Sequence, residues 1–168
     1  RRPAVFLDRD GTLIRSVTEV RSERQVRLLA GVAQVLKHLA AQKYFLIVLT
    51  NQPIVEKGVI SVGQAKKINE KLRKLLAKQG VKLDAVYTCP HRYGSDCVCR
   101  KPNIGMIRAA QKDFVIDIRK SWLVGDTTRD METGRRAKLK TILVKTGDGG
   151  KDTRFFKTKG TYEAKNLL

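Results

Sequence analysis

The sequence predicts an α/β fold in which one parallel sheet lies between two layers of helices. Two observations predict the layers. Five short apolar runs alternate with longer stretches of helical periodicity. Each run is too short for a helix and rich in Val, Ile, Leu or Phe, as a strand covered on both faces should be. A third observation orients the sheet, because nearly every chemically capable residue falls just past the end of a run. In open parallel sheets ligands bind at that carboxyl edge.

The runs are Ala4–Leu7, Tyr44–Leu49, Ala85–Tyr87, Trp122–Val124 and Thr141–Val144. Between the first two, Ala33, Val35, Leu36 and Leu39 mark one face of a helix from about Gly31 to Gln42. Ser61 is placed to cap a long basic helix that runs toward Gly80, whose missing side chain suits a helix end. Asn103 is expected to cap a third helix carrying Met106, Ile107 and Ala110, and a fourth should cover Arg129 to Ala137. The tail after Gly147 is polar and weakly patterned. With no internal repeat and no low-complexity linker, residues 1–168 are expected to form one domain of three-layer, Rossmann-like type.

Apolar residues at 42% and charged residues at 30% exclude a disordered chain. The longest strongly apolar stretch, Tyr44–Leu49, is far below the roughly 20 residues a membrane span needs. No basic-then-apolar leader precedes the first strand, so the default expectation is a cytoplasmic protein, and a monomer. The formal charge of +19 has two readings: a footprint for nucleic acid, or a lysine-rich solvated surface. The excess is spread along the chain without aromatic-basic alternation, which favours the second. Three cysteines, all between Cys89 and Cys99, are an odd count for a disulfide framework and point to metal.

Asp8 and Asp10 follow the first strand two residues apart, so their side chains leave the same face of the chain. Gly11 permits a sharp turn after them. Two carboxylates held together repel unless a cation or a proton intervenes. Asp126 and Asp130, after the fourth strand, would complete an oxygen-rich nest for a hard cation such as Mg²⁺. Any one of these aspartates alone would read as a turn or cap residue; four on two strand ends of one edge, in a chain with surplus base, read as a site. Thr50 ends the second strand and Lys101 precedes Pro102, adding a hydroxyl and an ammonium for phosphate.

In order, Asp-x-Asp-Gly-Thr, then Thr, then Lys, then Gly-Asp-x-x-x-Asp resembles the four motifs of the haloacid dehalogenase superfamily of phosphatases. That resemblance implies Asp8 as nucleophile and Asp10 as general acid and later base. It implies that Thr50 and Lys101 hold the phosphoryl oxygens, and that Mg²⁺ is bound by Asp8, the Asp10 backbone carbonyl and Asp126. Asp130 is expected to orient Lys101 or a metal-bound water.

Cys89-Pro90-His91 is followed by Cys97-Val98-Cys99, so three sulfurs and an imidazole fall within eleven residues. Four such ligands can close a tetrahedral Zn²⁺ site, and a four-ligand site is structural. The loop reads as a metal-stapled flap leading into Arg100 and Lys101. Together with Phe-Leu-Asp-Arg-Asp-Gly-Thr and Leu-Thr-Asn-Gln, it resembles the D-glycero-D-manno-heptose 1,7-bisphosphate 7-phosphatases, and is similar to the histidinol-phosphate phosphatases of the same branch. The branch implies no cap domain, a small phosphorylated sugar as substrate, and substrate contacts from Arg9, Asn51, Gln52 and Arg100. Pro53-Ile54-Val55, Ser16-Val17-Thr18-Glu19 and Thr127 depart from the usual pattern, at positions that touch substrate choice and not the chemical step. The competing activity is a nucleic-acid 3′-phosphatase, which would share the motifs and use the +19 charge. A non-enzymatic scaffold is opposed by the intact Asp8, Asp10, Lys101 and Asp126.

Overall fold

The computed structural model describes residues Arg1–Leu168. Its sheet contains β1 (Ala4–Leu7), β2 (Phe45–Asn51), β3 (Ala85–Cys89), β4 (Trp122–Gly125), β5 (Lys140–Val144) and β6 (Tyr162–Ala164), in the order β3-β2-β1-β4-β5-β6. Every neighbouring pair is parallel. The helices are α1 (Val32–Ala41), α2 (Val62–Ala77), α3 (Gly105–Asp113) and α4 (Thr128–Arg136).

Alternation along the strands divides the core into two layers. Val5 and Leu7 of β1, with Leu46 and Val48 of β2, pack against Leu36 of α1 and Ile68, Leu72 and Leu76 of α2. Ala4 and Phe6, with Ile47 and Leu49, face the other way, toward Met106, Ile107 and Ala110 of α3 and Met131 of α4. Leu36, Leu72 and Leu76 are fully buried, which is worth about 1.5–3 kcal/mol each. Leu72→Ala would cost about 2–5 kcal/mol, because a cavity would remain between α2 and the sheet. The predicted three-layer fold is therefore the observed one.

Three local features refine the expectation. Ser61 does cap α2, accepting from Gln64 N at 3.0 Å. Asn103 does not cap α3, whose N-cap is Ile104 with no side-chain bond. Asn103 instead donates to the Cys97 carbonyl (2.9 Å) and accepts from Arg136 (3.2 Å), tying the cysteine loop to α4. The weakly patterned tail supplies β6, an edge strand whose short, exposed sequence carries no alternation to reveal it.

From β1 the chain moves outward through β2 to β3, then returns across β1 to build β4, β5 and β6. The reversal lies between β1 and β4, so a crevice opens at their carboxyl ends. Asp8 leaves β1 and Asp126 leaves β4 into that crevice.

Candidate active site

At the centre of the crevice, the Lys101 ammonium donates to Asp8 Oδ1 (2.6 Å), Asp130 Oδ1 (2.6 Å) and the Leu49 carbonyl (2.9 Å). Three hydrogens meet three acceptors, so a side chain only 5% exposed has its charge fully met. Burial alone would favour the neutral amine. The two carboxylates overcome that penalty and hold Lys101 above the ordinary lysine range. Asn51 clamps the Lys101 backbone, accepting from its N–H at 3.0 Å and donating to its carbonyl at 3.1 Å.

Asp130 is saturated. Beyond Lys101 it accepts from the Thr127 hydroxyl (2.5 Å) and the Thr127 N–H (3.2 Å), an arrangement that also caps α4. Asp126 is the opposite case. Its Oδ2 accepts from Asp148 N at 2.7 Å, whereas Oδ1 is buried with no partner. Burial first, then the charges of Asp8 and Asp130, push Asp126 up to about 9. Burial likewise raises Asp8 to about 6, against Lys101 and with Asp130 and Asp10. Oxygens of Asp8, Asp126 and Asp130 lie within 4.8 Å of one another. An orphaned carboxylate oxygen in an all-oxygen cluster fits a hard divalent cation, since only a cation or a proton relieves it.

Glycine makes the close approach around Asp126 feasible. Gly11 (φ 85°) and Gly147 (φ 65°) adopt left-handed conformations, and a Cβ on either would collide with the Asp126 carboxylate. Beside Gly147, the Thr146 hydroxyl donates to the Gly11 carbonyl at 2.6 Å.

Not every expected residue faces the crevice. Arg9, read from the sequence as a substrate contact, is 1% exposed and spends its guanidinium on Asp10 (3.0 and 2.9 Å) and Asn69 (2.9 Å). That reading is corrected: the Arg9 guanidinium is buried and makes its hydrogen bonds within the protein, to Asp10 and Asn69. Gln52 is also buried and donates to Asp10 Oδ2 and Thr50 Oγ1, both at 2.8 Å. Thr50 is buried beside it. Arg100 is tied back to the His91 carbonyl at 2.9 Å and does not line the crevice.

A cavity of about 310 Å³ opens over Asp8, Asp10, Asn51, Lys101 and Asp126. Ser16, Thr127 and Asp130 also line it, and the rest of its wall comes from residues given no site role in the sequence: Arg129, Asp148, Asp152, Arg154 and Phe155. Asp152 accepts from Thr128 N (2.6 Å) at the start of α4, which anchors the tail there. Arg129 and Arg154 stack on Phe155 at 5.0 and 4.7 Å, and Tyr93 of the cysteine loop meets the same ring at 5.9 Å. The aromatic pair Phe155-Phe156 in a polar tail was the one signal available. A larger groove, about 800 Å³, lies along Phe114–Arg119 and holds no such cluster of acids.

The cysteine loop converges as its spacing predicts. Cys89 Sγ lies 3.1 Å from Cys99 Sγ and 3.7 Å from Cys97 Sγ, and His91 Nδ1 lies 3.2 Å from Cys99 Sγ. All four donor atoms fall within 4.8 Å, and no disulfide forms. Burial raises the Cys89 and Cys99 thiols. Burial also opposes ionisation of Cys97, yet hydrogen bonds from Ser95 and Arg100 N lower it to about 6. Three soft sulfurs and an imidazole fit Zn²⁺.

Comparison with known proteins agrees with this geometry. A HAD-hydrolase-like family model matches residues 98–168. The chain is 42% identical over 151 residues to the D-glycero-beta-D-manno-heptose-1,7-bisphosphate 7-phosphatase of Pasteurella multocida, covering 86% of this chain and 82% of that protein. It is 33% identical over 141 residues to the D-glycero-alpha-D-manno-heptose-1,7-bisphosphate 7-phosphatase of Campylobacter jejuni, covering 84% and 81%. Among solved structures, the D,D-heptose 1,7-bisphosphate phosphatase of B. bronchiseptica, complexed with magnesium and phosphate, superposes with a TM-score of 0.90. The two share 29% identity over 98% of this chain and 93% of that one.

Proposed function

The chain belongs to the haloacid dehalogenase-like hydrolase family and is a phosphatase, and from that premise we propose that it removes the 7-phosphate of D-glycero-D-manno-heptose 1,7-bisphosphate through an aspartyl-phosphate on Asp8. The observation that carries the chemistry is the pairing of Lys101 with Asp8 beside the unpartnered oxygen of Asp126.

In this reading Asp8 attacks phosphorus as the bond to the sugar oxygen breaks, which divides hydrolysis into two easier displacements. Asp10 gives its proton to the departing oxygen, then takes one from the water that cleaves the acyl phosphate. Lys101 and Thr50 hold the phosphoryl oxygens and match the charge spread over them in the transition state. Asp8, Asp126 and the Asp10 carbonyl would hold Mg²⁺, which would supply positive charge between the nucleophile and the phosphate. Cys89, His91, Cys97 and Cys99 would hold Zn²⁺, which would fix the loop that delivers Arg100 and Lys101. Asn51 lines the pocket. Arg129 and Arg154, which line the same cavity, are better placed than Arg100 for the phosphate that is retained. One domain, residues 1–168, carries the activity, as a cytoplasmic monomer whose thiols serve metal. No helix is long and apolar enough to cross a membrane.

A second reading, a nucleic-acid 3′-phosphatase, is favoured by the +19 charge and by the exposed Tyr93 near the cavity rim, where a base could stack. Phosphate release from the α and β heptose bisphosphates, histidinol phosphate and a 3′-phosphorylated oligonucleotide separates the readings. We expect kcat/KM to be highest for one heptose anomer. A higher value for histidinol phosphate or the oligonucleotide would overturn the substrate assignment and leave the phosphatase standing.

A further inference from the structure

We infer that Asn69, a residue of α2 outside every motif, positions Asp10 through the buried guanidinium of Arg9 and so governs protonation of the leaving group. This rests on the reading of Asp10 as proton donor. Arg9 Nε donates to Asp10 Oδ1 at 3.0 Å and Nη2 to Oδ2 at 2.9 Å, a fork that fixes the plane of the carboxylate. Arg9 Nη1 donates to Asn69 Oδ1 at 2.9 Å. Asn69 Nδ2 in turn donates to the Thr88 hydroxyl of β3 at 3.0 Å. From the other side Gln52 Nε2 reaches Asp10 Oδ2 at 2.8 Å.

The carboxyl torsion of an aspartate is soft, so a free Asp10 would swing about its last bond. A proton donor must lie within hydrogen-bond reach of the leaving oxygen, and a misplacement of about 1 Å can cost roughly a hundredfold. The bonds from Thr88 through Asn69 to Arg9 carry the position of two outer elements to that one carboxylate. Arg9 has only donors, and a buried guanidinium that loses its asparagine partner keeps an unmet N–H. Such a group shifts toward other acceptors and takes the fork with it.

Leaving-group dependence tests this. Asn69→Leu removes both hydrogen bonds at similar volume, and Asn69→Asp restores the acceptor for Arg9. Two esters are compared by kcat/KM, which reports steps up to departure of the leaving group. From the heptose bisphosphate the departing group is the alkoxide of the heptose 1-phosphate, which needs the proton; from p-nitrophenyl phosphate it is p-nitrophenolate, which does not. We expect Asn69→Leu to lose about 10- to 100-fold on the sugar ester and under about threefold on the aryl ester, with recovery in Asn69→Asp. Equal losses on both esters, no loss on either, or no recovery in Asn69→Asp would overturn the role. Asn69→Ser carries the same comparison if leucine does not pack. Asp10→Ala, run alongside, keeps the two claims apart. If it discriminates between the esters and Asn69→Leu does not, positioning fails alone. If Asp10→Ala slows both alike, the proton-donor reading fails and positioning falls with it.

Discussion

The carboxylate cluster and the cysteine loop both gather metal-binding side chains within 4.8 Å, but at opposite ranges of sequence. Asp8 and Asp126 are brought together by the pairing of β1 with β4, and the sheet holds them there against their own repulsion. Cys89, His91, Cys97 and Cys99 lie within eleven residues, and beyond Cys89 they sit on irregular chain. The sheet therefore preforms the first site, where a cation would relieve charge. In the second, a bound cation would supply much of the order, as in small metal-dependent loops. Loss of metal should thus silence the first site and leave its geometry, whereas it should loosen the second.

The sharpest contrast is at the nucleophile. Asp8→Asn should lower turnover by at least about a thousandfold while thermal melting stays near wild type, because the amide neither attacks nor attracts the cation. Turnover above a tenth of wild type would falsify the aspartyl-phosphate mechanism. Lys101→Met should break the contrast, since it strikes chemistry and stability together. It leaves Asp8 and Asp130 buried without their ammonium, so denaturant unfolding should show a loss of about 3–5 kcal/mol alongside a loss of turnover of about a hundredfold or more. Unchanged stability would mean that the carboxylates find other partners.

Smaller effects are expected at the loop. Wild-type protein should carry about one zinc per chain by elemental analysis, and Cys97→Ser should lower that content and slow turnover about 10- to 100-fold. Metal-free protein of full activity would remove the loop from function. The smallest effect is a pH dependence. Asp126 in the fold lies near 9, above its unfolded value, so its contribution is present at low pH and is lost as pH rises toward 9. Mg²⁺ relieves the ionised form, so the rise in melting temperature on adding Mg²⁺ should be larger at pH 8 than at pH 5. An equal rise at both would place the cation elsewhere.

The same contrast explains what could be read in the sequence. The five runs, the aspartates at two strand ends, Thr50, Lys101 and the cysteine loop are local signals, and each lies where periodicity or spacing placed it. Arg9 was expected to touch substrate because the resemblance implied it; its buried partner Asn69 lies 60 residues away, where no local pattern announces it. Asn103 looked like a helix cap, yet its partners, Cys97 and Arg136, lie on other segments. Asp148, Asp152, Arg154 and Phe155 belong to a tail without periodicity, and they reach the crevice through single long-range bonds such as Asp148 N to Asp126.

The strand order also bears on how the protein is made. Of the six strands of the sheet, β1 leaves the ribosome before the other five, yet it ends in the middle, with β4 on one side. At about 5–20 residues per second, β4 follows β1 by roughly ten seconds. During that interval β3-β2-β1 can assemble with the cysteine loop attached, and β1 presents an open hydrogen-bonding edge rich in apolar side chains. Asp8 then faces no Asp126 and no Asp130, so its later repulsion is absent while the first half forms. The nascent chain is hence spared the repulsion of Asp126 and Asp130, though not that of Asp10, when its edge is most exposed, and that edge closes only as β4 docks.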